Sequence, residues 1–178
     1  VISSVLNNLV LGGLLAVVIL FVFLRNIKPT IIIALSIPIS LLFAVAMMYF
    51  SGVTMNVISL AGLALGVGML VDNSIVVIEN IYRLRNEGMG IKKAAVQGAS
   101  QVAGAIVAST LTTICVFLPI VFTDGLSRQL FTDMGLTIAY SLIASLIVAL
   151  TLVPTISSKV LTNIDEKEHG LFDRFVNF

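Results

Sequence analysis

Five stretches of this chain are apolar over about 20 residues or more, enough to cross the roughly 30 Å hydrocarbon core of a bilayer as helices. They cover approximately residues 1–24, 29–50, 54–82, 91–122 and 128–161. Between them stand the punctuating residues: Arg25 and Lys28, Ser51 and Gly52, Gly88 and Gly90, and Asp124 and Gly125. Backbone groups in lipid have no water to bond, so each crossing segment must satisfy its own N–H and C=O groups. The expected fold class is therefore an all-α integral membrane bundle of five transmembrane helices. Composition agrees: 58% of residues are hydrophobic and 11% charged, against about 25% charged in a soluble domain. Mean hydropathy is +1.13.

Local signals refine the limits. Pro29 suits a first helical turn, where its missing N–H costs nothing. Thr54 is placed to cap the third helix after the Ser51-Gly52 turn. Pro38, Pro119 and Pro154 fall inside apolar runs, where membrane helices tolerate them. Residues 163–178 form a separate unit. Asn163 to His169 reads as a charged linker holding a solvated His169. From Gly170 to Phe178, Leu171, Phe172, Phe175, Val176 and Phe178 share one helical arc, the pattern of a short interfacial helix. Met47 to Phe50 sit at a membrane boundary, where aromatic residues anchor.

Nine of the ten Lys and Arg residues fall on one side of these spans; Arg128 alone falls on the other. The basic side is expected to be cytoplasmic, with the N-terminus outside and the C-terminus inside. An outside N-terminus with no visible signal predicts that further chain precedes Val1. A net charge of +1 points to no nucleic acid, and the lone Cys115 in an apolar run reads as a small buried hydrophobe. No Cys/His cluster suggests a metal.

Asp72 is the only acidic residue between Met55 and Ile78. A carboxylate at the bilayer centre costs about 2.5–3.5 kcal/mol on insertion scales, which makes it a functional site by default. Gly68 and Glu79, four residues before it and seven after, share its helical face and support the motif. Gly62 and Gly66 have the small-residue spacing that lets a neighbouring helix approach and screen Asp72 from lipid. Asn73 adds a polar group that cannot titrate. On the fourth span Thr110, Thr112 and Thr113 are a candidate polar path to Asp72; they can equally bond their own helix carbonyls. Ser100, Gly104, Ala108 and Thr112 form a small-residue ridge suited to helix packing. Glu79 and Arg83 have the spacing of an ion pair. An intramembrane aspartyl protease needs two carboxylates sharing a proton, and only Asp72 is at depth.

The string from Gly66 to Asn80 resembles the fourth-helix signature of the resistance–nodulation–division (RND) superfamily. That signature is read here as Gly68, Asp72, Asn73 and Glu79. GVGMLVDNSIVVIENIYR, TLTTICVFLPIVF and ALTLVPTISSKVL resemble its hydrophobe/amphiphile efflux branch, closest to the Gram-positive swarming-motility and surfactin-resistance type. The resemblance implies helices two to six of a first transmembrane repeat in a bacterial cytoplasmic-membrane protein. It implies a secondary transporter and not an enzyme, with protons as coupling ion and no other cofactor. The second repeat and the external loop domains would be partners supplied by further chain, and the intact protein would be a homotrimer. Asp72 and Asn73 would be the proton relay, facing a Lys of the second repeat. Two alternatives stay open: a protein-export accessory member of the superfamily, and a helical scaffold without turnover.

Overall fold

In the computed structural model, residues 2–122 and 125–161 are described. They form five helices in chain order: α1 (Ile2–Leu24), α2 (Ile27–Phe50), α3 (Val57–Asn86), α4 (Ile91–Val121) and α5 (Leu126–Val160). No strand occurs among the described residues. The expected all-α membrane fold is what forms. Helices α2 to α5 are each long and apolar enough to cross a bilayer, and α1 contributes a shorter apolar segment, Val10–Leu24. The expected interfacial helix at Gly170 to Phe178 lies outside the described residues.

Helix ends follow local chemistry more finely than the apolar runs do. α2 begins two residues before Pro29, which still lies in the first turn. α3 is capped by Asn56 and not by Thr54. Asn56 Oδ1 accepts from the backbone N–H groups of Ile58 and Ser59 at 2.9 and 2.8 Å. Ser59 Oγ accepts from the Asn56 N–H at 2.8 Å, which closes a capping box. Thr54 instead donates to Asp133 Oδ2 on α5 at 2.8 Å, and Asn56 Nδ2 donates to the same oxygen at 2.9 Å. One carboxylate thus ties the start of α3 to α5. Asn56→Ala should cost about 0.5–2 kcal/mol, as cap deletions do. Hydrogen exchange at Ile58 and Ser59 checks this: both amides should exchange faster, and unchanged rates would rule the cap out.

α3 is the hub, touching all four other helices, and its largest interface is with α5. Hydrophobic force does not drive helices together inside lipid, so close contact and hydrogen bonding must. Glycines provide the contact. A Cβ on Gly66 would lie 2.7 Å from Ser141 Cβ, and one on Gly62 would lie 3.0 Å from the Met134 carbonyl oxygen. On α4, a Cβ at Gly98 would lie 2.9 Å from Ile81 Cα. The Gly62 and Gly66 spacing therefore lets a neighbouring helix approach closely, as the sequence suggested. The ridge of Ser100, Gly104, Ala108 and Thr112 does not: all four are exposed. α4 turns Ala94, Ala95, Gly98 and Ala99 inward instead.

Two apolar clusters fill the bundle. The larger includes Ile32, Ile33, Val77, Ile78, Ile81 and Val153; the smaller joins Ala44, Met48, Leu63 and Ala144. Large side chains such as Val10, Leu42, Val116 and Phe122 point outward, as expected where lipid is the solvent. Tyr49 and Phe50, at the end of α2, are 80% and 86% exposed and meet edge to face at 5.8 Å.

Candidate functional site

The face of α3 that carries Asp72 is set by helical periodicity. Leu63, Gly66, Val67, Val71, Asn73, Ser74, Val77, Ile78 and Ile81 are buried; Ala61, Ala64, Leu65, Gly68, Asp72, Val76, Glu79 and Arg83 are exposed. The expected shared face of Gly68, Asp72 and Glu79 is therefore real, and it is the open face of the hub helix. The screening of Asp72 by packed helices is not found. The Gly62-Gly66 contact that was to provide it lies on another face of α3, roughly 80–120° round the helix from Asp72, against α5.

Asp72 lines a cleft of about 390 Å³ between α1 and α3, with Ile37 of α2 at its side. Gly12, Gly13, Ala16 and Leu20 form the α1 wall, and Ala64, Gly68, Val71 and Ile75 the α3 wall. Asn8 is the only other polar side chain in that lining. No other titratable group lines the cleft among the described residues. Gly68 leaves open space beside it, with no heavy atom within 4 Å of the place a Cβ would take. Small residues thus leave the carboxylate approachable from the open side.

Asn73 lies about 100° further round the helix and points the other way. It is 8% exposed, and its Nδ2 donates to Thr110 Oγ1 on α4 at 3.3 Å and to Ser145 Oγ on α5 at 3.4 Å. Next to it, Ser36 Oγ on α2 donates to the Ile33 carbonyl of its own helix at 2.7 Å and lies 3.3 Å from Ser74 Oγ, from which it can accept. Of the three candidate threonines, only Thr110 joins the site. Thr112 and Thr113 donate to the carbonyls of Ala108 and Ser109 at 2.8 and 3.0 Å, four residues back. Arg83 Nη2 donates to Asn80 Oδ1 at 2.8 Å, and the expected ion pair with Glu79 does not form. Asn80 Nδ2 in turn donates to the Gly98 carbonyl at 2.8 Å, locking α3 to α4. Ser145 was not singled out from sequence, and Ser74 and Asn80 entered only as part of the motif string. The signal was present for Ser145: Asp133, Thr137, Ser141 and Ser145 repeat every four residues along α5.

The sequence profile of the AcrB/AcrD/AcrF family matches residues 1–178. The chain belongs to this family, a branch of the RND efflux transporters. Among its AcrB-like relatives is the swarming motility protein SwrC of Bacillus subtilis (strain 168), 38% identical over 177 residues. That alignment covers 94% of this chain and 17% of the relative. The multidrug resistance protein MdtC of Pectobacterium atrosepticum is 34% identical over 165 residues, covering 93% of this chain and 16% of that protein. MdtC of Escherichia coli O139:H28 is 36% identical over 152 residues, covering 85% and 15%. The chain thus spans about one sixth of the length of these relatives. The resemblance drawn from the Asp72 motif and its flanking spans is correct at the level of family and branch.

Proposed function

We propose that this chain is the proton-handling part of a proton-driven efflux transporter for hydrophobic and amphiphilic compounds, with Asp72 as the group that gains and loses the proton. The observation that carries this is the cleft: one carboxyl group, at mid-span of the hub helix, on an otherwise nearly apolar surface open to a partner. A cation that approaches and withdraws switches such a group between its charged and protonated forms. Among the described residues no Lys or Arg lies in the middle of a span. The cation therefore comes from the remaining chain, as a Lys on the second repeat that docks against the open face of α3. Each proton moved across 100 mV supplies about 2.3 kcal/mol, enough to bias rocking of one repeat against the other.

In the RND signature that this motif resembles, the first Asp is followed by an Asp or an Asn, and here the residue is Asn73. It cannot ionise, so one carboxylate in this repeat serves one proton per cycle. The drug-binding domains lie in the external loops, outside this chain, and the working unit is a trimer in the bacterial cytoplasmic membrane. The N-terminus is outside and the C-terminus cytoplasmic. The multidrug-resistance names of the MdtC relatives support the substrate class. The test is substrate-driven proton flux in proteoliposomes holding the full-length transporter. Flux present in the parent should vanish in Asp72→Asn; flux retained would refute the proposal.

A further inference from the structure

We propose that a buried polar layer at the level of Asp72 fixes the rotation of α3 and so holds the carboxyl group on the cleft. The layer is Asn73 with Thr110 and Ser145, and Ser36 with Ser74. This rests on the reading of Asp72 as the proton-carrying group. It assigns Asn73, Thr110, Ser145, Ser36 and Ser74 as positioning residues, since none of them lines the cleft.

The argument starts from what can hold a helix at one rotation inside lipid. Close contacts at Gly62 and Gly66 favour one face of α3 toward α5, but large apolar side chains add little preference, because lipid tails solvate any apolar face equally well. A buried amide differs: turned toward lipid it would lose its partners, and an unpaired polar group there is costly. Buried polar groups therefore specify register where apolar ones do not. Here all five side chains are nearly or fully buried: Asn73 8%, Thr110 3%, Ser145 0%, Ser36 1% and Ser74 1% exposed. Along α3 the layer is flanked by the buried apolar residues Val71 and Val77.

The contacts are also well placed for this task. Positions 73 and 74 of α3 are held from three directions, by α4, α5 and α2. A turn of α3 by one residue position, about 100°, would bring Asn73 to the cleft and take Asp72 away from it. It would break all three contacts at once. Asn suits position 73 because its two N–H donors reach two hydroxyl groups that can rotate to accept. A hydrophobic residue of the same size would fill the space and leave the rotation unspecified.

The experiment uses the full-length transporter in membranes, with a lipid-soluble carbodiimide as probe and peptide mass as readout. Asp72 should be modified in the parent, and Asp72→Asn should remove the label. Thr110→Val with Ser145→Ala keeps most of the volume and removes both acceptors. It should slow Asp72 modification about tenfold and move the pH at which it is half-maximal, because a turn of α3 takes the carboxyl group off the open cleft. Thr110→Ser with Ser145→Thr keeps both hydroxyls and should restore the parent rate and pH profile. If the Val/Ala pair does not accumulate in membranes, Ser36→Ala with Ser74→Ala removes the α2 contact alone and should slow labelling in the same sense. Labelling unchanged in rate and pH profile in whichever of these two variants is measured overturns the positioning role. Failure of the relay reading looks different: Asp72→Asn would then export normally, whatever the hydroxyl variants do to the label.

Discussion

Asp72→Asn in the full-length transporter is expected to leave the protein in the membrane at normal levels and to abolish proton-coupled export. The fold should survive because, among the described residues, Asp72 makes no hydrogen bond or ion pair, and its side chain borders an open cleft. Asn has nearly the same shape and also removes the burden of a charge at depth. The loss is one of coupling. Forfeiting one proton at 100 mV removes about 2.3 kcal/mol of drive, which caps the substrate gradient roughly fiftyfold lower. Accumulation of a fluorescent amphiphile in energised cells measures this directly. It should rise to the level of cells lacking the pump, and collapsing the membrane potential should no longer change it. Asp72→Glu should retain part of the activity, because Gly68 leaves unfilled space where the longer side chain can lie. Export by Asp72→Asn that still responds to the potential would end the case for this carboxyl group.

The second large effect concerns α4. Gly98→Ala should destabilise the bundle by about 1–3 kcal/mol, the usual range for overpacking. The added Cβ would meet backbone as well as side chain: Ile81 Cγ1 at 2.8 Å, Cα at 2.9 Å and N at 3.0 Å. A backbone pressed against backbone cannot relax by changing a rotamer, so α3 and α4 must separate. The bond from Asn80 Nδ2 to the Gly98 carbonyl, 2.8 Å long, would stretch with them. Gly104, six residues on, has no atom within 4 Å of its added Cβ. Gly104→Ala in the same helix should therefore cost nothing and raise stability by about 0.5–1 kcal/mol through helix propensity. Unfolding of the 178-residue chain in mixed micelles with added SDS, followed by circular dichroism, separates the two. Equal midpoints for Gly98→Ala and the parent would show that the helices do not meet this closely.

Much of the fold was legible because lipid allows so few solutions. Long apolar runs must be helices there, and their number and approximate limits follow from hydropathy. The limits erred where a side chain outbid the run. Thr54 had the right chemistry for a cap, yet Asn56 is the cap because Thr54 turns to Asp133, 79 residues away in sequence. The motif was legible in its spacing: Gly68, Asp72 and Glu79 do share a face. Which way that face looks was not. Gly62 and Gly66 signalled a close helix neighbour, and one is present, but on a different face of α3 from Asp72. The ridge from Ser100 to Thr112 had the same signature, yet its four residues are exposed.

The chain by itself determined that this is a helical membrane protein of the AcrB/AcrD/AcrF family with one acidic residue deep in a span, since period, length and motif are local properties. Only the tertiary structure decided that adjacent Asp72 and Asn73 do different things. One borders an open cleft beside α1, and the other is buried among Thr110, Ser145 and the core. The reason is geometric. A helix turns its side chains by about 100° per residue, so neighbours in sequence face different surroundings. Those surroundings are supplied by α1, α4 and α5, and the spacing of residues along α3 does not encode where these helices stand.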